Sequence, residues 1–453
     1  MIGTQAAPER LFYDFCLDDH VPADHLLRKI DGFLDLSSVR GQLAGYYSHI
    51  GRPSIAPELM IRMLIVGYCF AIRSERRLCE EVHLNLAYRW FCRLGLDGKV
   101  PDHSTFSLNR NGRFRDCNLL RHVFETVVRR CMDEGLVGGE GFAVDASLIQ
   151  ADTNKQRSIP GDEWNVDDIP ANAVQAVKDY LARLDDEAFG AASDKQPKFI
   201  SPSDPAAQWT GAHKGPAFFA YSDNYLIDTD NAVIIDVEAT RSIRQAEVGS
   251  ARTMIDRVAE RFSLKPKRLA GDTAYGAAAM LAWLVKQRGI APHIPVFDKS
   301  KRDDGTFSRT DFSFDPERNV YICPTGKALK TSGNINRDNT YRYRASTQDC
   351  GSCPLKQRCC PRTPQRKITR DVNEDARDVA RALYDTPAFD QSRRDRKKVE
   401  MLFAHLKRIL KLGRLRLRGP CGAQDEFLLA ATAQNLRKLA KLRPKPPPVA
   451  QPA

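Results

Sequence analysis

Three acids and a run of cations have types and spacings that could do chemistry together. Asp145 sits in "FAVDASLIQA", an alternating, β-branched stretch that predicts a strand, and Asp272 ends the short run "RLAGD" at a glycine-flanked turn. Side chains at the carboxyl ends of parallel strands converge on a ligand site. Two carboxylates brought close repel unless a cation lies between them, and a divalent metal is the natural one. Taken singly, each is more readily read as a turn or cap aspartate. The segment Arg393 to Pro420 adds weight, holding eleven Lys or Arg residues but only two acids, Asp395 and Glu400. Val399, Leu402, Phe403, Leu406, Ile409 and Leu410 predict the apolar stripe of a helix. Arg396, Glu400, Lys407 and Lys411, four and seven apart, then share its polar face. A solvated Arg396–Glu400 ion pair would contribute only ~0.3–0.5 kcal/mol. A metal-binding carboxylate flanked by phosphate-holding cations explains why acid and cations lie on one face.

Cysteine gives a further signal. Of the 12 cysteines, seven are scattered and read as small buried apolar side chains. The other five lie between 323 and 360. Cys350-x2-Cys353 is half of a zinc knuckle, and Cys323 with Cys359 or Cys360 could complete a four-thiolate Zn²⁺ site of structural purpose. Reduced, metal-free thiols are the plain alternative.

These residues need elements to position them. The first third reads as helical, with Pro57 at a helix start and Asp102 or Ser104 as an N-cap. Arg73, Arg76 and Arg77 there fit phosphate contacts or an ordinary solvated face equally well. From 136 the pattern becomes strand, hairpin around Asp228 to Asn231, helix, strand, helix, strand: a mixed α/β sheet. Residues 155–215 are a polar insertion with one helix near 171–187. "RNVYICPTG" and "TYRYRAST" predict ribbon strands in a second insertion. The basic helix follows, then another from about 423 to 442, then a Pro-rich tail. The implied divisions are a helical part over 1–135, sheet elements over 136–298, a Cys-rich insertion over 299–375, a closing part with Glu400 over 376–443, and the tail 444–453.

Net charge is +12, which points to a polyanionic partner. No stretch reaches the roughly 18 uninterrupted apolar residues of a membrane span, and the start lacks the layout of a secretion signal. The expectation is a cytoplasmic protein without a membrane partner.

Together these residues resemble the bacterial insertion-sequence transposases of the DDE type. The family signature around the third acid is Tyr, two residues, Arg, three residues, Glu, six residues, Lys. Arg396, Glu400 and Lys407 hold that spacing, and Arg393 stands where the family has Tyr. The resemblance extends to "GYCFAIRSERRL", "PDHSTFS", "SDPAAQW", "GDTAYG" and "RGPCGAQDEFLLAATAQNLRKL". It implies a ribonuclease H-like α/β fold in which Asp145, Asp272 and Glu400 are catalytic and hold two Mg²⁺ or Mn²⁺ ions. It also implies cleavage at transposon ends and strand transfer into target DNA. DNA contacts are expected from Arg393, Arg396, Lys407 and Lys411. The expected partner is double-stranded DNA, bound by a homodimer or higher oligomer and nucleoid-associated in the cell. The alternatives are a nuclease on the same fold that never joins strands, and a catalytically silent DNA-binding derivative.

Overall fold

The computed structural model describes residues 15–47, 50, 54–112, 114–115, 117–165, 169–170, 172–184, 189, 197–211, 215–298 and 302–442. The Pro-rich tail lies outside them.

The helical part is built on α1, Pro57–Cys69, whose proline occupies the first turn, where its missing N–H costs nothing. It is apolar almost all round and correspondingly buried on almost every side, which fits a core helix. Helices α2, Glu75–Leu84, α3, His103–Asn111, and α4, Leu119–Asp133, follow. Asp102 is the N-cap of α3, accepting the Ser104 N–H at 2.9 Å. Among the described residues no helix is long and apolar enough to cross a membrane.

The central sheet holds β1, Gly141–Gln150, β2, Phe218–Asp228, β3, Ile234–Arg241, β4, Arg268–Ala270, and β5, Ala291–His293. Their order is β3-β2-β1-β4-β5, with β3, β2 and β1 antiparallel and β1, β4 and β5 parallel. The hairpin between β2 and β3 falls where Asp228 accepts the Asp230 N–H at 2.9 Å. The parallel pairing of β4 with β1 needs a crossover, and helix α5, Arg244–Phe262, provides it. A short strand, Gln208–Thr210, extends the far edge by pairing with the start of β2. The predicted helix near 171–187 is shorter than expected, spanning Gln175–Leu181.

Residues 302–371 carry a separate antiparallel meander: β6, Ser313–Asp315, β7, Val320–Ile322, β8, Ala328–Ile335, β9, Thr340–Arg344, and β10, Lys367–Asp371. It has its own small core around Tyr321, Leu329, Tyr343 and Ile368. Helix α6, Glu374–Tyr384, follows, and its first residue closes the neck of this unit. Glu374 is buried, with Arg309, Arg377 and Arg381 at 2.8, 3.1 and 2.7 Å, and Arg381 also reaches Asp298 at 3.0 Å. Burial alone would lift the Glu374 carboxyl, but the three guanidiniums hold it below its usual range.

Helix α7, Pro387–Arg408, carries Glu400, and α8, Gly419–Leu442, packs beside it. Both lie on the sheet face that Tyr225 presents: its ring stacks on Phe403 at 4.7 Å and its hydroxyl donates to Gln434 at 2.9 Å. On the opposite face Ser222 donates to Glu247 of α5 at 2.8 Å.

One expectation for the basic helix fails. Helix α7 ends at Arg408, so Lys411 and the expected stripe residues Ile409 and Leu410 lie beyond it. Leu410 and Leu412 are both fully buried, and turning both inward breaks the helix. Lys411 between them takes a left-handed φ of 55°, and the Leu412 N–H reaches back to Leu406 O at 3.1 Å. Ile409 is left 51% exposed.

Candidate active site

Register brings the first two acids together. Ala143 on β1 is paired with Ala270 on β4, and Asp145 and Asp272 each lie two residues further along. Asp272 caps its own turn, accepting the Ala274 N–H at 2.7 Å. Gly276 closes that turn, and a Cβ there would stand 2.0 Å from Pro295 O, so only glycine fits. Burial pushes the Asp145 carboxyl up to about 6; the Ala146 N–H and Arg396 oppose the rise, while the charges of Asp272 and Glu400 add to it.

The third acid joins through an arginine. Arg396 lies one turn before Glu400 on α7, with one nitrogen 3.5 Å from Asp145 Oδ2 and another 3.3 Å from Glu400 Oε1. Its guanidinium supplies the positive charge that this cluster of carboxylates demands. Among the described residues no three His, Cys, Asp or Glu side chains are spaced to hold a metal ion as they stand.

The expected cations have different fates. Lys407 Nζ donates to Ser147 Oγ at 2.7 Å, so it lies over the strand that carries Asp145. Arg393 is engaged away from the acids, 3.3 Å from Asp390 and over the rings of Tyr384 and Phe389 at 5.7 and 5.8 Å. Lys411 leaves the shared face because the helix has ended; it lines a groove with Arg77, Arg414 and Arg416.

Two residues that sequence reasoning missed stand beside this cluster. Asp223 on β2 is directly opposite Ser147 and fully buried, and neither of its oxygens makes a well-formed hydrogen bond. Burial raises its carboxyl well above the usual range, against the opposing pull of the nearby Tyr225 hydroxyl and the Lys407 charge. Tyr275, also buried with an unpartnered hydroxyl, feels the charges of Asp145 and Asp272. A signal for Asp223 is present in the sequence: "YSDN" is a polar run inside an otherwise apolar strand.

The clustered thiols gather elsewhere. Cys323, Cys350, Cys353 and Cys359 line one cavity of about 20 Å³ in the small meander. Cys323 Sγ accepts the Lys327 N–H at 3.3 Å. Burial pushes the Cys350 thiol up, and that of Cys359 up to about 12.

Residues 15–112 match the family described as Transposase domain (DUF772), and residues 322–440 match the one described as Transposase DDE domain. The second match includes Glu400 and the small meander's last four strands in part or whole. It excludes Asp145 and Asp272. Two separate stretches of the chain thus match transposase families, one of them a DDE domain. Among solved structures it is similar to a piggyBac transposase synaptic complex with hairpin DNA, with a TM-score of 0.33 and 9% identity over 92% of this chain and 76% of that chain. At that score the likeness is too weak to argue from.

Proposed function

We propose that this chain cuts double-stranded DNA at transposon ends and joins the freed ends to target DNA by in-line phosphoryl transfer. What supports the reading is that Asp145 and Asp272 follow paired positions on β1 and β4, while Arg396 links Asp145 to Glu400 from a distant part of the sequence. The strand order and mixed directions of the central sheet support a ribonuclease H-like fold.

The donor set is all carboxylate oxygen, which suits Mg²⁺ or Mn²⁺. Asp145, Asp272 and Glu400 would hold two such ions, which supply Lewis-acid activation of a water or 3′-hydroxyl and stabilise the leaving oxygen. The chain's own part is orientation. Strand ends fix the two aspartates, and α7 carries Glu400 over them. Arg396 balances the charge of Asp145 and Glu400 and is a planar fork matched to phosphate oxygens when they arrive. Lys407, held at Ser147, contributes a second cation on the same side.

Cys323, Cys350, Cys353 and Cys359 we assign to a structural Zn²⁺, supported by the cavity they share, although no three of them stand at ligand spacing and they would have to close around the ion. The decisive experiment is cleavage and joining of end-bearing DNA with Mg²⁺ by Asp145→Asn, Asp272→Asn and Glu400→Gln. All three should bind DNA but neither cut nor join. Parental cutting by the three variants overturns the site; cutting without joining by the parental chain identifies a nuclease instead.

A further inference from the structure

After α7 the chain does not run straight into α8. Residues 413–418 read "GRLRLR", and the segment bends around the Glu426 carboxylate, which accepts the Arg416 and Leu417 N–H groups at 2.5 and 2.7 Å. Leu415 is buried and Leu417 half-buried, while Arg414, Arg416 and Arg418 are exposed. The segment is latched to the end of β1: the Gln150 N–H donates to Gly413 O at 3.2 Å and the Leu415 N–H to Gln150 O at 2.7 Å. Three arginines therefore project as a comb from the strand that carries Asp145.

Arg414 and Arg416 of the comb form one wall of a groove of about 560 Å³. Lys411 and Arg77 of α2 also line it, and Asp152 is the one acid lining it among the described residues. Asp152 braces the outer teeth, 2.9 Å from Arg414 and 3.1 Å from Arg418. Arg73, also in the lining, is committed to a buried ion pair with Glu426. No acid lies within ion-pair distance of Arg416 or Lys411 among the described residues. Arg77 is paired with Glu81 at 3.2 Å, so Arg416 and Lys411 supply the surplus of positive charge that faces solvent in a concave strip between the helical part and the sheet.

We infer that this groove holds the backbone of duplex DNA flanking the phosphate that is cut. Gln150 is five residues beyond Asp145, so the comb begins about 17 Å along the strand from the acids. That offset corresponds to about five nucleotides of a bound strand. A duplex seated there touches Arg77 of the helical part and the comb at once, so both parts of the chain grip it. The inference rests on the proposed transposase reading and assigns its flanking DNA to a surface.

The test is binding of a fluorescent random-sequence duplex across a potassium chloride series. Removing one cation that neutralises a phosphate should flatten the slope of log affinity against log salt by about 0.9. Arg416→Gln is expected to lower it by about one, and Arg414→Gln, Arg416→Gln and Arg418→Gln combined by about three. Asp152→Asn should tighten binding, because it removes a competing anion. An unchanged slope in the folded triple variant, while the parental chain still cuts DNA, overturns the groove alone. Weakening by Asp152→Asn as severe as that of the triple variant also overturns it, since the ion pairs would then be a structural brace. A parental chain that never cuts DNA, yet shows the expected slopes, overturns the transposase reading and leaves the groove.

Discussion

The Arg396 guanidinium stands 3.5 Å from the Asp145 carboxylate and ties it to Glu400 at 3.3 Å. A cation thus stands between these two carboxylates, and a metal bound through the same oxygens competes with it. Arg396→Gln is expected to strengthen Mn²⁺ binding by up to about fivefold, the ~0.2–1 kcal/mol of a partly exposed pair. Its DNA cutting should nevertheless slow. Calorimetric titration with Mn²⁺ beside single-turnover cutting checks both, and weaker metal binding would contradict the competition.

The raised Asp145 carboxyl sets a pH dependence. Its value rises from 3.8 to about 6 on folding, so between those limits the folded chain binds more proton than the unfolded one. Stability therefore falls as pH rises through that window and stays lower above it. A shift of about two units corresponds to about 3 kcal/mol as an upper bound. Asp145→Asn should stabilise the chain at pH 7 and make little difference below about pH 3, under both the unfolded and folded values, measured as denaturation midpoints. Cutting by the parental chain should decline as pH is lowered through about 6, because the protonated carboxyl ligates poorly.

Asp223 predicts a separation of stability from rate. A buried carboxyl without a well-formed hydrogen bond is costly, so Asp223→Leu is expected to stabilise the fold by about 1–3 kcal/mol. Lys407 would lose the polar group buried beside its contact with Ser147, and cutting should fall several-fold while Mn²⁺ affinity holds. Parallel melting, titration and cleavage data decide this; an unchanged cutting rate would remove Asp223 from any role beside Lys407.

For the thiols, metal analysis of protein purified without chelator should find one zinc per chain. Cys353→Ser should lose it and speed amide exchange in β8 and β9, leaving β1 and β2 protected. Zinc-free protein with an equally protected meander would show that the thiols serve as ordinary core.

Some of this arrangement is legible in the residues and some is not. Asp145 and Asp272 can be placed because alternation marks a strand and a glycine-flanked turn marks its end, both local signals. The hairpin of β2 and β3 is a local signal too, but the pairing of β4 with β1 is expected only from the resemblance to a ribonuclease H-like fold, because neighbouring strands need not be consecutive. Lys411 falls off the expected face because the end of α7 is set by what Leu410 and Leu412 bury against, which is tertiary information that helical periodicity lacks. The environment of Asp223 is hidden for the same reason: its burial depends on β1 and α7, both remote from it in the chain. Arg393 matches a spacing, yet its neighbours Asp390, Tyr384 and Phe389 draw it off the acids.

The neck at Glu374 has a consequence for how such chains diversify. Three arginines and two acids cinch the entry and exit of the small meander into one knot, so whatever hangs beyond it is mechanically decoupled from the sheet below. Lineages could enlarge, trim or exchange that appendage while the geometry inherited by Asp145, Asp272 and Glu400 stays the same.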